Sequence, residues 1–181
     1  LAYHISTGTP LWDYTVRKGT VLYLALEDDY RRLQERLYRM FGTDSTDNLF
    51  FSVSADSLGN GLDAQLQRFM QEHTDTSLII IDREVGGDNY SYANDYEIIT
   101  RLKQFADKYG ICILLVHHTR KQTADDKFNM ISGTTGLLGA ADGAFLLQKE
   151  KRTSNAATLE VSGRDQQDQK LYLNRNTETL L

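Results

Sequence analysis

The sequence predicts an α/β fold: a doubly wound parallel β-sheet with helices on both faces and a short antiparallel β extension near the C-terminal end. Three observations predict it. Near-continuous apolar runs recur through the first two-thirds of the chain, the pattern of strands buried on both faces. Stretches of helical periodicity alternate with them, which implies parallel pairing through right-handed crossovers. The last quarter changes to short strands separated by polar turns.

The first buried strand is Val21-Leu22-Tyr23-Leu24-Ala25-Leu26 and the second is Leu49-Phe50-Phe51-Ser52-Val53. The third is Leu78-Ile79-Ile80-Ile81, and the fourth is Ile111-Cys112-Ile113-Leu114-Leu115-Val116. A helix rich in Arg and Leu is expected from Asp29 to Met40. A second, from Leu62 to His73, spaces Leu62, Leu66, Phe69 and Met70 along one side. A third, from Asp95 to Tyr109, does the same with Ile98, Ile99, Leu102, Phe105 and Ala106, with Asp95 as the expected N-cap and Gly110 as the stop. Ala144 to Gln148, Ala157 to Val161 and Lys170 to Leu173 are expected as an antiparallel extension at one edge of the sheet.

The 181 residues fit a single domain, and a chain of this length buries enough surface to need no disulfide or metal staple. The formal net charge is −5, so bulk attraction to nucleic acid is not expected and DNA contact would need a local basic patch. The single cysteine, Cys112, excludes an intrachain disulfide and fits a reducing compartment, so a cytoplasmic location is expected. With no apolar run of about 18 residues, neither a membrane span nor a membrane partner is expected. Leu1-Ala2-Tyr3-His4-Ile5 reads as a start inside a helix, so a preceding segment is expected.

Ligands of open α/β sheets bind outside the carboxyl ends of the strands. The first strand ends in Glu27-Asp28-Asp29, the third in Asp82, and the fourth in His117-His118-Thr119-Arg120-Lys121. Water contact explains any one of these ends. Carboxylates and imidazoles at all three favour a shared site. Four apolar residues ending in Asp82 resemble a Walker B strand, whose aspartate holds Mg²⁺ through water beside nucleotide phosphates. Glu27 suits a general base that orients or deprotonates an attacking water. Asp28 beside it belongs to the same nucleotide-binding set, and a histidine after the fourth strand could hydrogen-bond a γ-phosphate.

The order of these motifs is informative. Val21 to Asp28, Leu78 to Asp82, Leu115 to Lys121, Ser132-Gly133-Thr134-Thr135-Gly136 and Ala141-Asp142 follow one another in the arrangement of a RecA-like ATPase. The chain resembles the RepA type, hexameric plasmid replicative helicases and their mobile-element relatives, from about Leu1 to Leu173. The resemblance implies a RecA-like core that hydrolyses ATP with Mg²⁺, between subunits of a homo-oligomeric ring and in contact with single-stranded DNA. It makes Glu27 the catalytic glutamate, Asp82 the metal-shell aspartate and His118, or its neighbour His117, the phosphate sensor. It places Thr119 to Gly136, with Arg120, Lys121 and Lys127, in a loop facing DNA, although Asp125 and Asp126 offset that charge. Arg164 falls near the position of an arginine finger offered to the next subunit.

The sequence departs from the family in two places. The phosphate loop G-x-x-x-x-G-K-[ST] is absent and is expected upstream of Leu1. Arg83-Glu84-Val85-Gly86-Gly87 follows Asp82 where the family continues with Thr or Ser, as though a stretch were missing there.

Other readings stay open. A degenerate RecA-like module without ATPase activity would account for the missing loop but gives Glu27, Asp82 and His118 no chemical purpose. A Toprim-type Mg²⁺ site built on Glu27, Asp82 and Glu84 would leave His117, His118 and the Gly/Thr loop unexplained. Zinc lacks a third ligand at suitable spacing, and adjacent histidines on an extended segment point apart. Tyr90, Tyr92 and Tyr96 could stack on bases, but packing on protein is the commoner use of such a cluster. Arg31, Arg32, Arg36 and Arg39 read as a solvated or subunit-facing surface balanced by Glu35.

Overall fold

The protein's structure, a computed structural model, describes residues 1–43, 45–56, 61–82, 92–117, 140–149, 151 and 153–181, with the backbone alone for 92–95. In chain order the elements are α1 (Ala2–Thr7), β1 (Thr20–Ala25), α2 (Tyr30–Phe41), β2 (Leu49–Ser52), α3 (Leu62–Glu72), β3 (Thr76–Asp82), α4 (Tyr92–Tyr109) and β4 (Cys112–Val116). Then come β5 (Gly143–Lys149), β6 (Ala156–Gly163) and β7 (Gln166–Asn174).

Strands β1 to β4 form one all-parallel sheet in the order β2-β1-β3-β4. The apolar runs end up inside because both faces of this sheet are covered. On one face Leu22, Leu24, Ile79 and Ile81 pack with Leu62, Leu66 and Met70 of α3 and with Leu102 and Phe105 of α4. On the other, Val21, Leu78 and Ile80 meet Leu37 of α2 and Leu49 of β2, with Ala2, Tyr3 and Ile5 of α1 against them. The rings of Tyr3 and Phe41 stack at 3.7 Å, tying α1 to the end of α2. At the amino end of the sheet, Thr20 Oγ1 donates to the Asp75 carboxylate at 2.9 Å.

Local chemistry sets the helix ends. Asp29 caps α2, its side chain accepting from the Arg32 amide at 2.9 Å. Gly42 ends α2 in the left-handed region, φ 70°, with its N–H returning to Tyr38 O. Gly110 ends α4 with φ 65°, as expected. Asp95 is not the cap of α4, which begins three residues earlier at Tyr92 and runs through it. The apolar periodicity starts only at Ile98, so it could not locate a first turn made of polar residues.

The C-terminal strands are antiparallel, as expected, but they form a separate sheet in the order β5-β6-β7. No described hydrogen-bond ladder joins them to an edge of the parallel sheet, which corrects the expected placement. Side chains make the link instead. Lys103 of α4 bonds Asp142 at 2.6 Å, just before β5. Arg39 of α2 donates to the carbonyls of Thr177 and Glu178 at 2.8 and 2.9 Å. Strand β7 is also longer than predicted, because Gln166 to Gln169 pair by backbone with no apolar pattern to announce it.

Among the described residues, no helix is long and apolar enough to cross a membrane.

Leu66 is fully buried between α3 and the sheet. Leu66→Ala is expected to cost about 3–5 kcal/mol of stability through lost burial and a residual cavity. Urea denaturation of the variant beside the parent measures it.

Candidate active site at the carboxyl edge of the parallel sheet

Register brings the predicted residues together. Ala25 of β1 lies opposite Asp82 of β3, and Asp82 lies opposite Val116 of β4. Glu27, two residues past Ala25, and His117, one past Val116, therefore follow the strands on either side of Asp82 at the carboxyl edge. The Leu26 amide donates to the Asp82 carbonyl at 3.1 Å, extending the ladder one residue past β1. The Asp28 amide turns back to Ala25 O at 3.2 Å, so the chain leaves the sheet sharply at Glu27. Glu27 is exposed.

Asp82 shares a sheet face with Ile80, Leu78 and Tyr23, the face covered by α1 and α2. Its Oδ2 accepts a hydrogen bond from the Tyr23 hydroxyl at 2.7 Å. Burial pushes the Tyr23 hydroxyl well above the ordinary tyrosine range. The hydrogen bond to Asp82 and the charges of Asp82 and Asp28 push the same way, against Arg36.

Asp28, expected in the nucleotide-binding set, is engaged by α2 in the structure. Its side chain, 11% exposed, turns back onto α2. There Arg36 bonds its Oδ2, and Arg32 stands 3.3 Å from its Oδ1 at an ion-pair distance without hydrogen-bond alignment. Burial of a carboxylate against two guanidinium groups explains why this turn can be held at the protein surface. These contacts tie the loop that carries Glu27 to α2. The arginines expected to be balanced by Glu35 divide their work: Arg31 pairs with Glu35 at 3.0 Å, while Arg32 and Arg36 go to Asp28.

Arg164 sits in the turn between β6 and β7, 56% exposed. Its amide donates to Asp142 O at 2.9 Å, and its guanidinium lies 3.9 Å from the Asp142 carboxylate. The Lys103 hydrogen bond holds the Asp142 carboxyl below its usual range, and Arg164 adds to this. His118, Arg120, Lys121 and Lys127 lie outside the described residues, as do the Ser132 to Gly136 segment and the junction after Asp82. So does Tyr90, while Tyr96 is exposed on α4.

Mg²⁺ is a hard cation that takes one or two protein carboxylates and completes its shell with water and phosphate oxygens. Asp82 fits that demand: Tyr23 occupies one oxygen and, among the described residues, no donor is bonded to the other. No group of three or more His, Cys, Asp or Glu side chains suited to a metal cage occurs among the described residues. Sequence reasoning missed Tyr23, the Asp28–Arg36 pair and the Lys103–Asp142 tie. The first had a signal, a tyrosine within an apolar run, but its partner is visible only once the β1–β3 register is known.

The Asp28 anchor is testable. Asp28→Asn should lower stability by about 1.5–3 kcal/mol, the range for hydrogen bonds to charged groups. A urea titration read by circular dichroism measures it, and an unchanged midpoint would show that the anchor contributes nothing.

A search of curated proteins finds no match to the chain. The family described as "AAA domain" matches residues 1–124, a span that includes β1 to β4, Glu27, Asp82 and His117. With its nucleotide-type parallel sheet and acidic residues at the carboxyl edge, the chain belongs to this AAA domain family of ATPase-type nucleotide-binding domains.

Proposed function

We propose that the protein is an Mg²⁺-dependent ATPase of the RepA type, acting in DNA replication as a helicase or a helicase-like motor. One observation carries the reading: the register that sets Glu27 and His117 on either side of Asp82 at a single sheet edge. Mg²⁺ bound there would neutralise phosphate charge during hydrolysis. Asp82 holds the metal's shell, with its carboxylate oriented by Tyr23. Glu27 accepts a proton from the attacking water at its carboxylate, or orients that water. His118, or His117 beside it, hydrogen-bonds the γ-phosphate and couples its loss to the following segment. Arg120, Lys121 and Lys127 in that segment contact single-stranded DNA.

Helix α1 packs on the same sheet face as Asp82. The working form is a homo-oligomeric ring, a hexamer by the resemblance, in which Arg164 reaches the neighbouring subunit's nucleotide. For that, its guanidinium would exchange Asp142 for phosphate; at 3.9 Å and 56% exposed, the present pairing is weak enough to exchange. Both the overall charge of −5 and the parallel sheet are compatible with DNA contact confined to one loop.

Glu27→Gln in the full-length protein should slow ATP hydrolysis by about 100-fold or more, the usual worth of a general base. ATP binding should persist, as read by titration with a fluorescent nucleotide. A variant hydrolysing at the parent rate would remove Glu27 from catalysis. Wild-type protein that binds ATP without hydrolysing it, with or without single-stranded DNA, would favour the non-enzymatic module. Hydrolysis insensitive to DNA would retain the ATPase and exclude the helicase.

A further inference from the structure

The geometry points to Tyr23 as a positioning residue that orients the Asp82 carboxylate for a divalent cation while leaving its charge intact. The inference rests on the assignment of Asp82 to the metal shell made above. Tyr23 lies in the interior of β1, whose other residues are all buried. Its ring meets Phe51 of β2, with centroids 5.6 Å apart and planes tilted by 40°. A phenylalanine would fill this space equally well, and a hydroxyl removed from water there costs free energy unless it is paired. The pairing is specific: 2.7 Å to Asp82 Oδ2, across two strands, from the residue opposite Ile80 to the residue two further along on the same face.

The kind of donor matters. A guanidinium or ammonium at this distance would hold the carboxylate but also neutralise it, and would compete with a metal ion. A neutral hydroxyl fixes one oxygen and leaves the full negative charge for a cation at the other. Arg36, near enough to act on the Tyr23 hydroxyl, is already bonded to Asp28, and Arg32 lies against the same carboxylate. Asp28 and Asp82 are thereby given different partners. Asp28 receives arginines, while Asp82 receives a tyrosine hydroxyl and, among the described residues, no cation. Partners that orient a metal-binding carboxylate are commonly worth about 10–100-fold in metal affinity.

The test is Mn²⁺ binding to full-length protein with a non-hydrolysable ATP analogue, read by electron paramagnetic resonance, for the parent, Tyr23→Phe and Asp82→Asn. The Phe variant retains the ring and hence the packing against Phe51, which a cooperative thermal melt checks. The expected result is Mn²⁺ affinity weakened about 10-fold in Tyr23→Phe and lost in Asp82→Asn. The Mg²⁺ concentration for half-maximal hydrolysis should rise in parallel, while the rate at saturating Mg²⁺ changes far less. A purely structural tyrosine would lower the melting temperature and leave Mn²⁺ affinity where it was. Parent-like affinity in Tyr23→Phe, with loss in Asp82→Asn, would overturn the role of Tyr23 and keep that of Asp82. Equal Mn²⁺ binding in the parent and Asp82→Asn would overturn both.

Discussion

The pairing register of β1, β3 and β4 is the constraint on which the rest depends. In a parallel sheet a slip of one residue turns every side chain to the opposite face. Here such a slip would take Asp82 from the α1–α2 side to the α3–α4 side, and would separate it from Tyr23. It would also put Ile79 and Ile81 where Ile80 and Leu78 now pack. The register is therefore fixed by the same burial that fixes the site. Two apolar clusters, one on each face, accept alternate residues of each strand, and the polar residue at the end of β3 inherits whichever face the alternation assigns it. The precision at the carboxyl edge comes from the core, several residues away from any charged group.

The same logic explains which features could be read without a structure. Strands buried on both faces write themselves as apolar runs, so β1 and β3 were legible to within two residues at each end; β4 was located as well, but it is a partly exposed edge strand of the described sheet and not the buried one its apolar run predicts. Helix α2 was legible as an Arg- and Leu-rich stretch, and α3 from the spacing of Leu62, Leu66, Phe69 and Met70. The ends were less so wherever polar residues continue an element, as in the first turn of α4 and the first half of β7. The strand-end residues Glu27, Asp82 and His117 were legible because a parallel sheet places all its carboxyl ends on one edge. The destination of Asp28 was not. Nothing in Glu27-Asp28-Asp29 says which carboxylate faces solvent, which turns back to an arginine two turns along α2, and which caps the helix. The structure gives the three to three different uses.

That division suggests how the chain avoids a conflict of electrostatics. A carboxylate left clear of cations at this edge requires the arginines that α2 brings close by to be paired elsewhere. Pairing Arg32 and Arg36 with Asp28, and Arg31 with Glu35, uses up those cations locally. Arg39 is turned to the C-terminal carbonyls. The helix that looks most suited to nucleic acid by composition is thus spent on holding the β1–α2 turn and the end of the chain.

The antiparallel sheet is joined to the core in a different manner. The parallel strands are held by shared burial; β5 and β6 also bury Leu146 and Val161, but their described link to α4 is the exposed Lys103–Asp142 pair, with Arg164 beside it. Exposed ion pairs are individually weak and are screened by salt. Shared burial resists small displacements because packed cores have few alternative arrangements, but exchange of an exposed ion-pair partner requires no repacking. The ion pairs beside Asp142 are therefore the part of this connection most open to a competing anion, while the register of β1, β3 and β4 rests on burial.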